Sequence, residues 1–237
     1  MTKPFAVFDI DGTLARTSLF LATVHEMMRR SMIPKADTDE IHRLLEAWLK
    51  RKHTQAFAEY EATAIEVLFR ELANTKVSAY EAIIDEVMRK FGERSYLYTK
   101  NLIKQLKTNG YLILAVSGSE EKLLGRFCKE YGFDDWIGTD FHKDGFYFTG
   151  SATDIVHNKH IYLTKLIDKH GLSTEKSLAV GDTKSDIKML EMVEQPICFN
   201  PSQELYDEAR KRGWKIVIER KDVIYELTPE AGVFKLK

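Results

Sequence analysis

The chain has 237 residues, 44% of them hydrophobic and 30% charged, and a formal net charge of -1. That is enough apolar material for one large packed domain or for a domain carrying a second. Near-zero charge excludes a strong field for nucleic acid or an anionic membrane surface, and no apolar run reaches a membrane span, so a soluble cytoplasmic protein is expected.

From Lys3 the chain enters a strand-like segment directly, with no signal-peptide pattern. Phe5 to Phe8 is continuously apolar, as in a central parallel strand covered on both faces. From about Thr17 to Tyr98 the spacing turns helical, with candidate helices over residues 18–30, 37–51, 54–73 and 77–91. In the second of these, Ile41, Leu44, Leu45 and Leu49 share a face, and Asp37 or Thr38 stands where an N-cap belongs. Nothing strand-like interrupts the stretch, which predicts a helical bundle inserted after the first strand.

Alternation then resumes. A helix stopped by Gly110 precedes the strand "YLILAV", and a helix from residue 120 stops at Gly132. "FHKDGFYFTG" has a hairpin turn at Asp144-Gly145. Another helix (158–171), the strand "SLAV", the strand "ICF", a helix from Gln203 and the strand "WKIVI" complete the pattern. The expected fold is α/β, an open parallel sheet wrapped on both sides. Cys128 and Cys198 sit beside bulky apolar residues and read as small buried hydrophobes, not as a disulfide.

Three apolar strands end in polar clusters: "AVFDIDGT", "ILAVSGS" and "LAVGDTKSD". Ligands of open α/β sheets bind outside the carboxyl ends of the strands, so these clusters are expected to meet. Asp9 and Asp11 stand two apart and project to one side of an extended chain. Gly12 permits a tight turn and close ligand approach, and the Thr13 hydroxyl can orient a carboxylate. A calcium loop of the EF-hand kind fits poorly, because its glycine belongs sixth and Gly12 is fourth. Asp182 and Asp186 add oxygen ligands of the kind that suit Mg²⁺. Ser117, with the amides of Gly118 and Ser119 at an expected helix start, offers donors to a phosphate oxygen. Taken alone, "GDTKSD" reads equally well as a turn with a Ser185 N-cap.

Together, "DIDGT", Ser117 after its strand, a lysine and "GDTKSD" resemble the four motifs of the haloacid dehalogenase superfamily. The phosphoserine-phosphatase-like branch is the nearer likeness, with its helical cap (C1 type) after the first motif and a similar closing segment, "FNPSQELYDEARKRGWKIV". The resemblance implies a Rossmann-like core over 1–16 and 99–237 and a cap over 17–98. For the third-motif lysine, Lys159 is preferred to Lys165: it stands 23 residues before Asp182, resembling the branch, and opens its helix. What the family implies is Mg²⁺-dependent hydrolysis of a small phosphate ester through an aspartyl-phosphate. Asp9 would be the nucleophile and Asp11 the acid and base. Asp9, Asp182 and the carbonyl of Asp11 would bind Mg²⁺, and Asp186 would order the metal shell or Lys159. Ser117, Gly118, Thr13 and Lys159 would hold phosphate, offsetting its charge beside three carboxylates.

Two departures concern substrate. Ser18 stands nine residues after Asp9, where phosphoserine phosphatases resemble one another in a glutamate, and the second motif reads "SGS" where those enzymes have two glycines. Both count against phosphoserine. A cap would exclude water and favour small substrates. Arg16 lies just past the first motif, either facing an anionic substrate tail or as a solvated linker charge. The rival functions are a phosphotransferase or mutase, and a regulatory protein that binds phospho-ligands without turnover. A dehalogenase would leave Asp11 and the metal carboxylates without work, and a P-type pump needs membrane spans. Oligomeric state is not readable from periodicity.

Overall fold

A computed structural model describes residues 3–73, 75–230 and 233–236. In chain order, β1 (Phe5–Phe8) is followed by α1 (Leu19–Arg29), α2 (Lys35–Leu49), α3 (Ala56–Leu72), α4 (Val77–Phe91) and α5 (Leu97–Thr108). Next come β2 (Leu112–Glu120), α6 (Glu121–Tyr131), β3 (Asp135–Thr139), β4 (Phe141–Asp144), β5 (Tyr147–Ala152) and α7 (Lys159–His170). Then follow β6 (Leu178–Gly181), α8 (Ile187–Leu190), β7 (Gln195–Phe199), α9 (Gln203–Arg212), β8 (Lys215–Arg220), β9 (Val223–Glu230) and β10 (Val233–Leu236). The chain divides into two compact units, one of Met1–Ser18, Gly92–Thr139 and Asp154–Lys237, the other of Leu19–Phe91 and Asp140–Thr153. Residues 1–2, 74, 231–232 and 237 of the expected domains lie outside the described residues.

The first unit is a sheet of eight strands in the order β10-β9-β8-β7-β6-β1-β2-β3. Strand β1 is fully buried and pairs in parallel with β2 on one side and β6 on the other, which is why its sequence is apolar without alternation. Phe5 and Val7 join Leu114, Val116 and Ala179 in a core covered by Leu163 and Leu166 of α7, Met189 of α8 and Leu205 of α9. Ala6 and Phe8 have the opposite parity and face the other way, toward the side where α5 and α6 pack on β2. The chain leaves β1 toward β2 and returns to β6 on the other flank, so its direction reverses between β1 and β6. That reversal opens a crevice at the carboxyl ends of the two strands.

Six of these strands are parallel, but β9 runs antiparallel to β8, and β10 to β9. The open parallel core expected from the sequence is present in these six strands, and the antiparallel pair extends it at this flank. A two-residue turn after β8 is too short for a helical crossover, so the chain can only fold back. Cys128 and Cys198 are buried and unpaired.

The second unit holds α1–α4 and the β4–β5 hairpin. The hairpin was expected in the core, and its place here is a correction with an aromatic cause. Phe141 lies 5.4 Å from Phe69 and 5.9 Å from Tyr80, and Phe148 lies 5.3 Å from Tyr80. Two-stranded hairpins have no core of their own, so this one borrows the helices' rings. Residues 92–98, expected with the helices, belong to the first unit. Two details of α2 also differ. It starts after Pro34 with no side-chain cap, so neither Asp37 nor Thr38 caps it, and Leu49 is exposed while Ala47 is buried.

Glu26 of α1 is buried, with Arg29 and Arg30 at 2.6 and 2.7 Å and Lys90 of α4 at 3.1 Å. Its hydrogen bonds with Arg29, and then those with Arg30 and Lys90, outweigh burial and hold its carboxyl down at about 2. A depressed acid stabilises the fold above its unfolded value and loses that contribution as pH falls toward 2. Glu26→Gln is therefore expected to cost about 1–2 kcal/mol at pH 7, after discount for the solvated partners. Urea unfolding of both proteins should show the gap shrinking between pH 5 and pH 2.5.

Candidate active site

Asp9 stands one residue beyond β1, and its N–H donates to the carbonyl of Val180 in β6 at 2.9 Å. The chain turns at once: the Ile10 carbonyl accepts the N–H groups of Thr13, Leu14 and Ala15 at 3.2, 3.0 and 2.9 Å. Gly12 has φ +82, and a Cβ there would stand 2.2 Å from Asp182 Oδ2. The glycine is needed both for its backbone angle and for the space it leaves to a carboxylate.

Lys159, the first residue of α7, is buried and donates through Nζ to Asp9 Oδ1 and to Asp186 Oδ1, at 2.6 Å each. Lys165, the alternative lysine, is exposed, with its ammonium over the ring of Tyr162. Asp186 is saturated. Its second oxygen accepts the N–H groups of Asp182 and Thr183, both at 3.0 Å, and the Thr183 hydroxyl at 3.3 Å. It closes a single 3₁₀ turn (Lys184–Asp186), and Thr183, not Ser185, stands at the N-cap. Asp186 therefore orients the ammonium and the turn carrying Asp182.

At the end of β2, Ser117 and Ser119 each donate a hydroxyl to Asp11 Oδ2, at 2.9 and 2.7 Å. The expected helix start at Gly118 and Ser119 is corrected: β2 runs on to Glu120, whose side chain caps α6, and the Ser119 N–H donates to Ser117 Oγ. Thr13, expected on phosphate, is fully buried and donates its hydroxyl to Asp182 Oδ1 at 3.3 Å, while Thr99 holds its carbonyl. The hydroxyl of Ser119 was not singled out in the sequence. Its signal is the one that linked Asp9 with Asp11, two polar residues at i and i+2 where a strand ends.

Asp9, Asp182 and Asp186 each offer an oxygen within 4.8 Å of the others. Burial is the largest influence on Asp9 and raises its carboxyl to about 7. Lys159 pulls it down, and Asp186 and Asp11 push it up. Asp182 is raised well above the carboxylate range, by burial and then by the charges of Asp9 and Asp186. Burial lowers the Lys159 ammonium, but Asp186 and Asp9 together more than reverse this, so it stays charged. One ammonium thus faces three carboxylates, an excess of negative charge that a hard divalent cation would relieve. An oxygen-only donor set fits Mg²⁺.

A cavity of about 870 Å³ lies elsewhere in this unit, at the amino ends of β6–β8. Its cations Arg212 and Lys215 are held by Glu191 and Glu226, so the carboxylate cluster, and not this hollow, marks the site. Among the described residues no helix is long and apolar enough to cross a membrane.

The family model for haloacid dehalogenase-like hydrolases matches residues 6–191. Over 234 residues the chain is 24% identical to a histidinol-phosphatase of Neisseria meningitidis serogroup C (strain 8013), covering 91% of this chain and 98% of that protein. It is 26% identical over 212 residues to a phosphoserine phosphatase of Archaeoglobus fulgidus, covering 87% of this chain and 55% of the relative. A solved protein of unknown function from Bordetella pertussis Tohama I superposes with a TM-score of 0.72 at 22% identity, over 92% of this chain and 99% of that one. A phosphoserine phosphatase solved as a phospho-aspartyl intermediate analogue gives 0.63 at 21% identity, over 94% and 96% of the two chains. At such identities the solved structures speak to the fold.

Proposed function

The chain belongs to the haloacid dehalogenase-like hydrolase family, and from that premise we propose that it hydrolyses a small phosphomonoester through an aspartyl-phosphate on Asp9. The observation that carries this reading is Lys159, buried with its ammonium 2.6 Å from both Asp9 and Asp186. A purely structural role for so costly a cluster is a poor explanation, because apolar residues in place of Lys159, Asp9 and Asp186 together would serve stability as well.

Asp9 attacks phosphorus, a new P–O bond forms to its carboxylate, and the bond to the leaving oxygen breaks. Asp11 gives that oxygen a proton and later takes one from the water that attacks the phosphoaspartate. The P–O bond to Asp9 then breaks, releasing phosphate and restoring the carboxylate. Ser117 and Ser119, which hold Asp11 in this structure, keep it aimed across the site. Lys159 holds Asp9 in position and offsets charge on the equatorial oxygens. Mg²⁺, held by Asp9, Asp182 and the Asp11 carbonyl, would supply compensation for the negative phosphoryl group.

Relatives named histidinol-phosphatase and phosphoserine phosphatase support a small ester as the substrate. Ser18, nine residues beyond Asp9, counts against phosphoserine. Phosphate release from a panel of small phosphomonoesters, with Mg²⁺ and with EDTA, tests the reading. Turnover that requires Mg²⁺ is expected. A folded protein that binds Mg²⁺ yet releases no phosphate from any ester would overturn it.

A further inference from the structure

Among the described residues, Arg16 is a cation next to the first-motif loop that meets no carboxylate. Ala15 bridges Asp11 on one side and Ser95 on the other. The Arg16 N–H donates to the Arg94 carbonyl, and the Tyr96 N–H to the Leu14 carbonyl, at 2.9 Å each. Arg16 is thus pinned by main-chain bonds one residue from the loop that carries Asp11. Its side chain is exposed, and the guanidinium lies 5.6 Å from the centroid of the Tyr96 ring.

Tyr96 is itself anchored. Its ring meets Phe199, the last residue of β7, edge-on at 4.9 Å, and the next strand end over carries Asp182. Burial raises the Tyr96 phenol, Arg16 lowers it, Asp182 and Glu219 raise it, and a hydrogen bond with Asn200 lowers it. Arg29, Arg30, Arg43, Arg70, Arg89 and Arg212 all meet carboxylates. Among the described residues Arg16 meets none. An arginine stacked on a ring keeps its planar edge of N–H donors free, the geometry that binds a carboxylate in two places.

Resting on the phosphatase reading, we propose that Arg16, laid over Tyr96, determines specificity by receiving a carboxylate on the leaving group of the substrate. The substrate class is then an anionic phosphomonoester, with phosphate at Asp9 and Ser117 and a second negative group toward the β7 side of the site. Tyr96 acts as a positioning residue that holds the guanidinium there. The role is distinct from chemistry. It adds binding energy to esters that carry the second charge.

The test uses two esters that differ at one carbon, 3-phosphoglycerate and glycerol 3-phosphate, with wild type, Arg16→Gln and Arg16→Lys. Wild type is expected to prefer 3-phosphoglycerate in kcat/KM by about tenfold or more, the scale of a charge-assisted hydrogen bond. Arg16→Gln should lower kcat/KM for 3-phosphoglycerate about tenfold more than for glycerol 3-phosphate, with the difference in KM, and Arg16→Lys should recover part of it. Equal losses on the two esters, or none, would overturn the proposal. Magnesium-dependent turnover of glycerol 3-phosphate with no carboxylate preference would sink this inference alone. No turnover of either ester by wild type, while another ester of the panel is hydrolysed with Mg²⁺, would also sink this inference alone; no turnover of any ester would sink the phosphatase reading with it.

Discussion

Asp9→Asn is expected to lower turnover at least about 10⁴-fold, the scale seen when a nucleophile is removed, while leaving the protein as stable as wild type or more so. The two halves of this expectation have one cause. Asp9 is buried beside Asp186 and Asp11, and its carboxyl is raised from 3.8 to about 7. A raised acid favours the fold when protonated and penalises it when ionised. Its contribution is in place below about pH 4 and is lost as pH climbs through 7. Asparagine keeps an oxygen for Lys159 and carries no charge, so it escapes that penalty. Melting in EDTA at pH 5 and pH 8 should show wild type losing more stability than the variant, by an amount on the order of a few kcal/mol at most. Added Mg²⁺ should restore wild type at pH 8. A variant that melts well below wild type at pH 8 would mean that the ionised carboxylate is structural, and residual turnover near wild type would remove Asp9 as nucleophile.

Lys159→Met is expected to fail on both counts, losing about 10²–10³-fold or more in activity and about 3–5 kcal/mol in stability. Methionine fills the stem's volume but leaves Asp9 and Asp186 buried with no cation between them. A second change separates the two losses. Adding Asp186→Asn removes one of the facing charges and should return part of the stability, while activity stays lost. Urea unfolding of the single and double variants measures this directly. If Lys159→Met were as stable as wild type, the ammonium would not be what holds the carboxylates together, and its assignment to the phosphate site would lose its support.

Much of this arrangement is local and therefore legible in the residues. Continuous apolarity at Phe5–Phe8 marks a strand covered on both faces, and the structure buries all four residues. Two aspartates at i and i+2 with glycine next announce a turn that needs φ > 0, and Gly12 adopts φ +82. Helical spacing marked α4 to its ends, since its apolar residues recur along one face. Lys159 is preferred to Lys165 in the sequence because its spacing to Asp182 resembles the family's and because the first residue of a helix lies near the strand ends.

What local pattern leaves open is which neighbours a side chain meets once distant segments assemble. The hairpin of β4 and β5 reads as a hairpin in sequence, but its unit is decided by Tyr80 and Phe69, which are far from it along the chain. Thr13 offers one hydroxyl to a phosphate or to a carboxylate, and only the return of the chain at Asp182 selects the carboxylate. Ser119 becomes part of the site because β2 continues past Ser117, keeping both hydroxyls on Asp11. Arg16 reads as a linker charge until Tyr96 is brought beneath it. The amino-acid order determined the strand, the turns and the chemical groups, because those follow from spacing along the chain. Only the tertiary structure decided who pairs with whom, because charge and burial depend on distances in space, and these are set by segments as far apart as Asp9 and Lys159.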